Sequence, residues 1–203
     1  MSPRTAAAVR DGGRSLREHL VAAAARLIAE RGTADLTVRA IARSAGVADG
    51  VLYNHFADKD ELLAEAWEAH VQAIEDGLPP LPRPGEGTLA DGVRAQLTHG
   101  LALHRAVMPG LSGLLGRPEL LARLTAPRPS GTDWRDRLRA WLLAEQDLGR
   151  IPPNAPVDAS AALIVGVCHE SVLTTLLQAT QTTAPPSPDH LNALTQAILH
   201  GLT

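Results

Sequence analysis

Apolar positions along this chain recur at three- and four-residue steps, in blocks set apart by glycine, proline and short polar runs. That period places apolar side chains along one side of a helix rather than alternately across a strand. In the first block Leu20, Ala24, Leu27 and Arg31 share a side, with Ala23 and Ile28 next to them. Ser15-Leu16-Arg17-Glu18 has the form of a capping box at its start, and Gly32 suits its end. Thr37 is the expected N-cap of a second, short helix in which Ile41 and Ala45 face the first, and Gly46 supplies the turn. Residues 48–54 predict a further short helix with Val47 and Leu52 inward. Asp58-Lys59-Asp60-Glu61 repeats the capping-box pattern, opening a longer helix through Leu62, Leu63, Ala66, Trp67, His70, Val71 and Ile74.

The periodicity then breaks. Residues 77–87 hold four prolines and three glycines, which cannot continue a helix and favour extended backbone. Beyond them Thr88 caps a block with Leu89, Val93, Leu97 and Leu101 at four-residue spacing, expected to stop near Met108-Pro109-Gly110. Short helical pieces are expected at 111–116 and 118–125. Thr132 then starts a helix carrying Trp134, Leu138, Trp141, Leu142, Glu145 and Leu148, closed by Gly149. The longest apolar block, Val157 to Ala179, is apolar over a wide arc, as in a helix covered on more than one side. Ser187-Pro188-Asp189 combines an N-cap, an N1 proline and an acidic first turn, and Leu191, Leu194, Ile198 and Leu202 form the stripe of the last helix.

Composition agrees. Of 203 residues 45% are hydrophobic, Ala and Leu dominate, and only five are aromatic, which favours helix over strand. The expected class is all-α. The organisation expected is a mobile arm (1–14), a three-helix domain (15–57), a connector helix (58–76), a Pro/Gly-rich linker (77–87) and a larger helical domain (88–203). No unbroken apolar run reaches about 18 residues, so no membrane span is expected. MSPRTAAAVRDGGRS lacks the apolar segment of a secretory signal. The lone Cys168 sits in an apolar run and is expected to be a small core residue in a reducing cytoplasm.

The formal net charge of −3 is unevenly spread. Residues 1–60 hold nine Lys or Arg against seven Asp or Glu, while 61–203 hold ten against fifteen. A nucleic-acid binder needs a local positive face, not a basic chain, and the asymmetry puts that face at the N-terminal end.

The segment Thr37–Leu63, TVRAIARSAGVADGVLYNHFADKDELL, concentrates the candidate chemistry. A helix-turn-helix sets its second helix in the DNA major groove, which requires a sharp turn and small or polar residues at the tip. Ala48, Asp49, Gly50 and Val51 form such a tip. Tyr53 and His55 stand where a phenol and an imidazole reach phosphates, and Thr37 and Lys59 each lie at a helix N-terminus, which also favours an anion. Arg39 suits guanine O6 and N7 or a phosphate. Two short helices joined by glycine also occur in many helical proteins with no such role.

The wording T-V-R-x-I-A-x-x-A-G-V-x-x-G-V-L-Y-x-H-F-x-x-K-x-E-L-L closely resembles the signature of the tetracycline-repressor (TetR) family of bacterial regulators, and the likeness covers roughly residues 15–70. The resemblance implies a homodimer whose N-terminal domains bind a palindromic double-stranded DNA operator, with a divergent C-terminal domain that binds a small molecule. Carried over by position, Arg39, Asp49, Gly50 and Val51 face bases, and Thr37, Tyr53, His55 and Lys59 hold the phosphates. Ala48 departs from the serine common at this place and cannot cap, so Asp49 is expected to cap the short helix first and to read a base second. Arg4, Arg10, Arg14 and Arg17 are candidates for further phosphate or minor-groove contacts.

The last two helices, about 157–180 and 188–202, are the expected dimer interface; completing the subunit core is the alternative. The effector pocket is expected within 88–180, bounded by the connector helix. Its candidate liners are Trp67, His70, His99, His104, Met108, Trp134, Trp141, Cys168, His169 and Glu170, with Trp134 and Trp141 on one face. An apolar effector with one or two polar groups suits such a lining. No metal site and no cofactor are expected: His99 and His104 are five apart, and His169-Glu170 lacks a second histidine one turn on. The function so read is a ligand-responsive regulator, a repressor first, acting in the cytoplasm. An activator or a DNA-independent interaction protein of the same fold is the alternative, and a small helical enzyme a remote one, since no nucleophile elbow or phosphate-cradling glycine loop is present.

Overall fold

The structure is a computed structural model that describes residues 15–33, 36–112, 114, 116–124, 133–177 and 186–202. Every regular element among the described residues is helical: α1 (Leu16–Arg31), α2 (Val38–Ala45), a 3₁₀ helix (Asp49–Asn54), α3 (Lys59–Asp76), α4 (Leu89–Ser112), α5 (Pro118–Leu124), α6 (Trp134–Asp147), α7 (Val157–Leu177) and α8 (Pro188–Leu202). They form two compact units. Residues 15–76 pack with 109–124, and 77–108 pack with 133–202.

In the first unit α1 opens on the capping box read from the sequence. Ser15 Oγ accepts the Glu18 N–H, and the Glu18 carboxylate accepts the Ser15 N–H at 2.8 Å. α1 then packs on α2 and α3, burying Leu20, Ala23, Ala24, Leu27 and Ile28 against Ile41, Ala42, Leu62, Leu63 and Ala66. Each fully buried leucine or isoleucine here contributes about 1.5–3 kcal/mol. Gly46 ends α2 with φ 69°, in the left-handed region that favours glycine, and its N–H returns to the Ala42 and Arg43 carbonyls. The start of α3 departs slightly from a capping box. Asp58 Oδ1 accepts the Glu61 N–H at 2.7 Å, but the Glu61 carboxylate takes the N–H of Ala57 instead of that of Asp58.

α4 does not stop at Met108-Pro109-Gly110. It runs through Pro109 to Ser112 despite the backbone donor that proline lacks. First-unit contacts hold that last turn: the Thr33 hydroxyl donates to the Gly110 carbonyl at 2.5 Å, and the Trp67 ring lies against Gly110. The following stretch buries Leu114, Leu120 and Leu124 in the same unit. α5 therefore packs on α3, although it follows the Pro/Gly-rich segment in the chain.

In the second unit α4 buries Val93, Leu97 and Leu101. Its neighbouring stripe, Gly92, Gln96 and Gly100, receives the tryptophans of α6: Trp141 lies on Gly92 and Trp134 on Gly100, with the Trp134 Nε1–H donating to Gln96 Oε1 at 3.2 Å. The N-cap of α6 is Asp133, which accepts the Asp136 N–H at 2.8 Å; Thr132 lies outside the described residues. α7 packs between α6 and α8. Although no unbroken apolar run marks it, Val157–Thr175 is long and apolar enough, by length and composition, to cross a membrane.

The proline-rich stretch is anchored, not free. Glu145 on α6, fully buried, accepts the Gly85 N–H at 3.0 Å and pairs with Arg150 Nε at 3.1 Å, while Arg150 donates to the Gly87 carbonyl at 2.9 Å.

Candidate nucleic-acid interface

The segment between α2 and α3 presents its polar groups outward because its apolar ones are used inside. Leu52 and Phe56 are buried, at 3% exposure each, and draw the 3₁₀ helix onto the α1–α3 layer. Six residues wound this way point Asp49, Gly50, Tyr53 and Asn54 to solvent. Tyr53 is 62% exposed, so its phenol is presented, not packed. Arg39, on the first turn of α2, and Thr37, its N-cap, are exposed as well; the Thr37 hydroxyl accepts the Ala40 N–H at 3.1 Å and keeps its own proton to donate.

Tyr53 and Lys59 come together. They border one shallow groove with Val38, Leu52, Phe56, Asp58 and Leu62. Lys59 is half-buried, and burial, then the neighbouring Arg117 guanidinium, holds its amine below the ordinary lysine range, with Asp60 opposing. His55 and Val51 are also half-buried.

Two expectations change here. The short element is a 3₁₀ helix whose N-cap, Ala48, makes no side-chain cap; Asp49 lies exposed in its first turn and makes no capping bond. Arg17, expected among the phosphate contacts, is turned inward. Its guanidinium pairs with Glu61 at 2.7 Å and with Glu65, donates to the His55 carbonyl, and lies 4.2 Å over the Phe56 ring. These partners raise its pKa, through Glu65 first and Glu61 second, and Arg17 in turn holds the Glu61 carboxyl below the ordinary glutamate range. Sequence spacing could not distinguish an arginine that meets DNA from one that stitches α1 to α3 and the 3₁₀ helix. The signal available was Glu61 and Glu65, one turn apart on the opposing helix. Arg4, Arg10 and Arg14 lie outside the described residues.

The candidate effector residues fall into two groups. Trp67 and His70 belong to the first unit, with ring centroids 5.7 Å apart; Trp67 is buried, and burial holds the His70 imidazole below its ordinary pKa. In the second unit Trp134 is flanked by His99 at 6.4 Å and by His104 at 5.5 Å between centroids, and His104 meets His169 edge-on at 4.7 Å. His99 and His104 thus share one neighbour despite their spacing. His104 Nδ1 lies 2.7 Å from the Gly100 carbonyl, which fixes the proton on that nitrogen. Burial first, and His169 after it, lowers the His104 pKa; burial first, then Arg135, lowers that of His169. Cys168 is buried beside Gly100, and burial pushes its thiol up to about 12. Met108 lies on α4 and Glu170 on α7. Among the described residues no group of three or more His, Cys, Asp or Glu is placed to hold a metal.

Comparison with known proteins bears on both units. Residues 20–66 match the bacterial regulatory proteins of the tetR family. Over 52 residues the chain is 40% identical to the HTH-type transcriptional regulator AcrR of Shigella flexneri, covering 26% of this chain and 24% of AcrR. Over 51 residues it is 49% identical to the HTH-type transcriptional repressor KstR2 of Mycobacterium tuberculosis, covering 25% of this chain and 26% of KstR2. The matched stretch thus spans about a quarter of these relatives. The fold reaches further. The transcriptional regulator FadR of Bacillus subtilis, crystallised with stearoyl-CoA, aligns over 91% of this chain and 96% of its own, with a TM-score of 0.57 at 20% identity. By sequence, residues 20–66 are similar to the tetR family of bacterial regulatory proteins, and by fold the chain is similar to the solved structure of FadR.

Proposed function

We propose that the chain is a transcriptional regulator, a repressor, that binds a palindromic DNA operator as a homodimer in the cytoplasm and is released by a small, largely apolar effector. The observation that carries this reading is the outward presentation of Tyr53 beside Lys59 on a segment anchored inward by the buried Leu52 and Phe56. Arg39, Asp49, Gly50 and Val51 face the bases. Thr37, Tyr53, His55 and Lys59 hold the phosphates, which fixes register while the base contacts choose sequence.

The test is a mobility-shift or anisotropy titration against the DNA upstream of the chain's own gene, over a range of salt. Tyr53→Ala and Lys59→Ala each weaken binding to any duplex, and loss of one phosphate contact flattens the salt dependence by about one unit of slope. Unchanged affinity in both variants overturns this docking.

Dimerisation is proposed through α7 and α8. Only 33% of Val157–Thr175 is buried within the chain, and Leu163 and Leu173 are 62% and 45% exposed on α7. An isologous pair of such faces would bury them and set two reading heads about one DNA turn, roughly 34 Å, apart. Sedimentation at micromolar concentration reads a dimer; monomer alone overturns the interface. The effector is proposed to bind in the second unit beside His104, Met108, Trp134, Trp141, Cys168 and His169. The fold of a protein crystallised with stearoyl-CoA supports an effector with a long apolar part. Stearoyl-CoA is therefore the first probe, read by Trp134 and Trp141 fluorescence and by release of DNA.

A further inference from the structure

We infer that Arg117 and Arg123 set the sign of the charge around Lys59, so that α5, docked on α3, permits DNA phosphate to approach a corner that its absence would close. This rests on the DNA-binding reading proposed above. Lys59 is flanked in sequence by Asp58 and Asp60, two carboxylates that repel a phosphate. Each is met from the α5 segment. An Arg117 terminal nitrogen lies 2.9 and 3.2 Å from the two Asp60 oxygens, and an Arg123 terminal nitrogen lies 3.5 and 3.4 Å from those of Asp58. With the arginines in place, three cations stand against two anions; without them, one cation stands between two anions. Glu61, the next acid on α3, is already matched by Arg17.

Stability does not explain these pairs. The Arg117 and Arg123 side chains are 45% and 55% exposed, and exposed ion pairs contribute little to folding. α5 is held instead by Leu120 and Leu124, which are buried. What the arginines alter is the field over a groove that Tyr53 and Lys59 share, within a Debye length of about 10 Å at moderate salt. The segment that carries them continues from the last turn of α4, whose earlier turns belong to the second unit.

The test uses the full chain and a random-sequence duplex oligonucleotide at low salt, where phosphate contacts dominate. Arg117→Gln with Arg123→Gln weakens binding about five- to tenfold. Asp58→Asn with Asp60→Asn keeps the α3 cap, since asparagine caps as well as aspartate, and strengthens binding about threefold. All four substitutions together return affinity to within about twofold of the parent. If the arginines merely brace α5, the double asparagine variant loses affinity as the glutamine variant does, and the four-fold variant is not rescued. Either result, or no gain in the asparagine variant, overturns the inference while leaving the DNA reading intact. A parent chain that does not bind the duplex overturns both. Circular dichroism melts of each variant separate loss of fold from loss of charge.

Discussion

The two units of this protein expose their distinctive groups differently. In the first, the apolar faces are buried within the α1–α3 layer, and Arg39, Asp49, Gly50 and Tyr53 are exposed on short elements. In the second, Trp134, Trp141 and Cys168 are buried and wedged on the glycines of α4, while the half-buried His104 lies edge-on between Trp134 and the exposed His169. The groups proposed to meet DNA are thus presented to solvent, whereas the tryptophans of the second unit are packed. The recognisable sequence, residues 20–66, lies wholly in the unit of the first kind.

Glycine substitutions separate the units most sharply. A Cβ at Gly100 would lie 2.3 Å from the Trp134 ring and 2.8 Å from the Cys168 sulfur, so Gly100→Ala is expected to cost about 3 kcal/mol or more, read as a large fall in Tm. Gly50→Ala meets nothing within 4 Å and has no positive φ, so Tm stays put and only DNA affinity changes. Equal losses of Tm would break the contrast. Next in size is Glu145→Ala, which strands Arg150 and frees Gly85, costing about 3 kcal/mol in a denaturant titration, with DNA affinity at saturating folded protein unaltered.

Acid tells the units apart more gently. The half-buried His104 has a folded pKa below its ordinary 6.5, so below pH 6.5 the unfolded chain takes up a proton that the fold refuses. Stability therefore falls as pH drops from 6.5 toward the folded value. Glu61, held low by Arg17 and the Ala57 N–H, contributes only above its ordinary 4.5 and loses that contribution as pH falls through its lower folded value. His104→Gln is expected to flatten the first part of the acid profile and leave the second in place. A parent profile flat from pH 6.5 to 5 would remove His104 from this account. The smallest effect expected is on fluorescence. Trp134 stands beside His104, so Trp134→Phe, more than Trp141→Phe, reduces the pH dependence of emission, with the Trp67–His70 pair contributing the remainder.

Much of the first unit was legible because its signals are local. Capping at Ser15 and Thr37 and the left-handed turn at Gly46 depend on residues within four positions of one another, and each stands where spacing puts it. Arg17 was illegible for the opposite reason: its partners Glu61 and Glu65 are 44 and 48 residues away. The same holds for Pro109, where a local rule ends the helix and Thr33, 77 residues distant from Gly110, continues it. The glycine stripe Gly92-Gln96-Gly100 was present in the sequence, but a row of small residues is informative only once the tryptophans that fill it are known.

By itself the sequence determined the helical class, the helix starts, the turn between α2 and the 3₁₀ helix, and the family of the reading head. All of these follow from backbone preference and side-chain reach within one or two turns. The tertiary structure alone decided which charges face outward and which are spent within the fold. Arg17 and Arg39 are equivalent in a list of cations, yet one lies over Phe56 between two glutamates and the other lies in solvent. It also decided that α5 returns to α3, placing Arg117 and Arg123 beside Asp60 and Asp58. Ion pairing depends on distances across the fold, and those exist only once the apolar faces have chosen their partners.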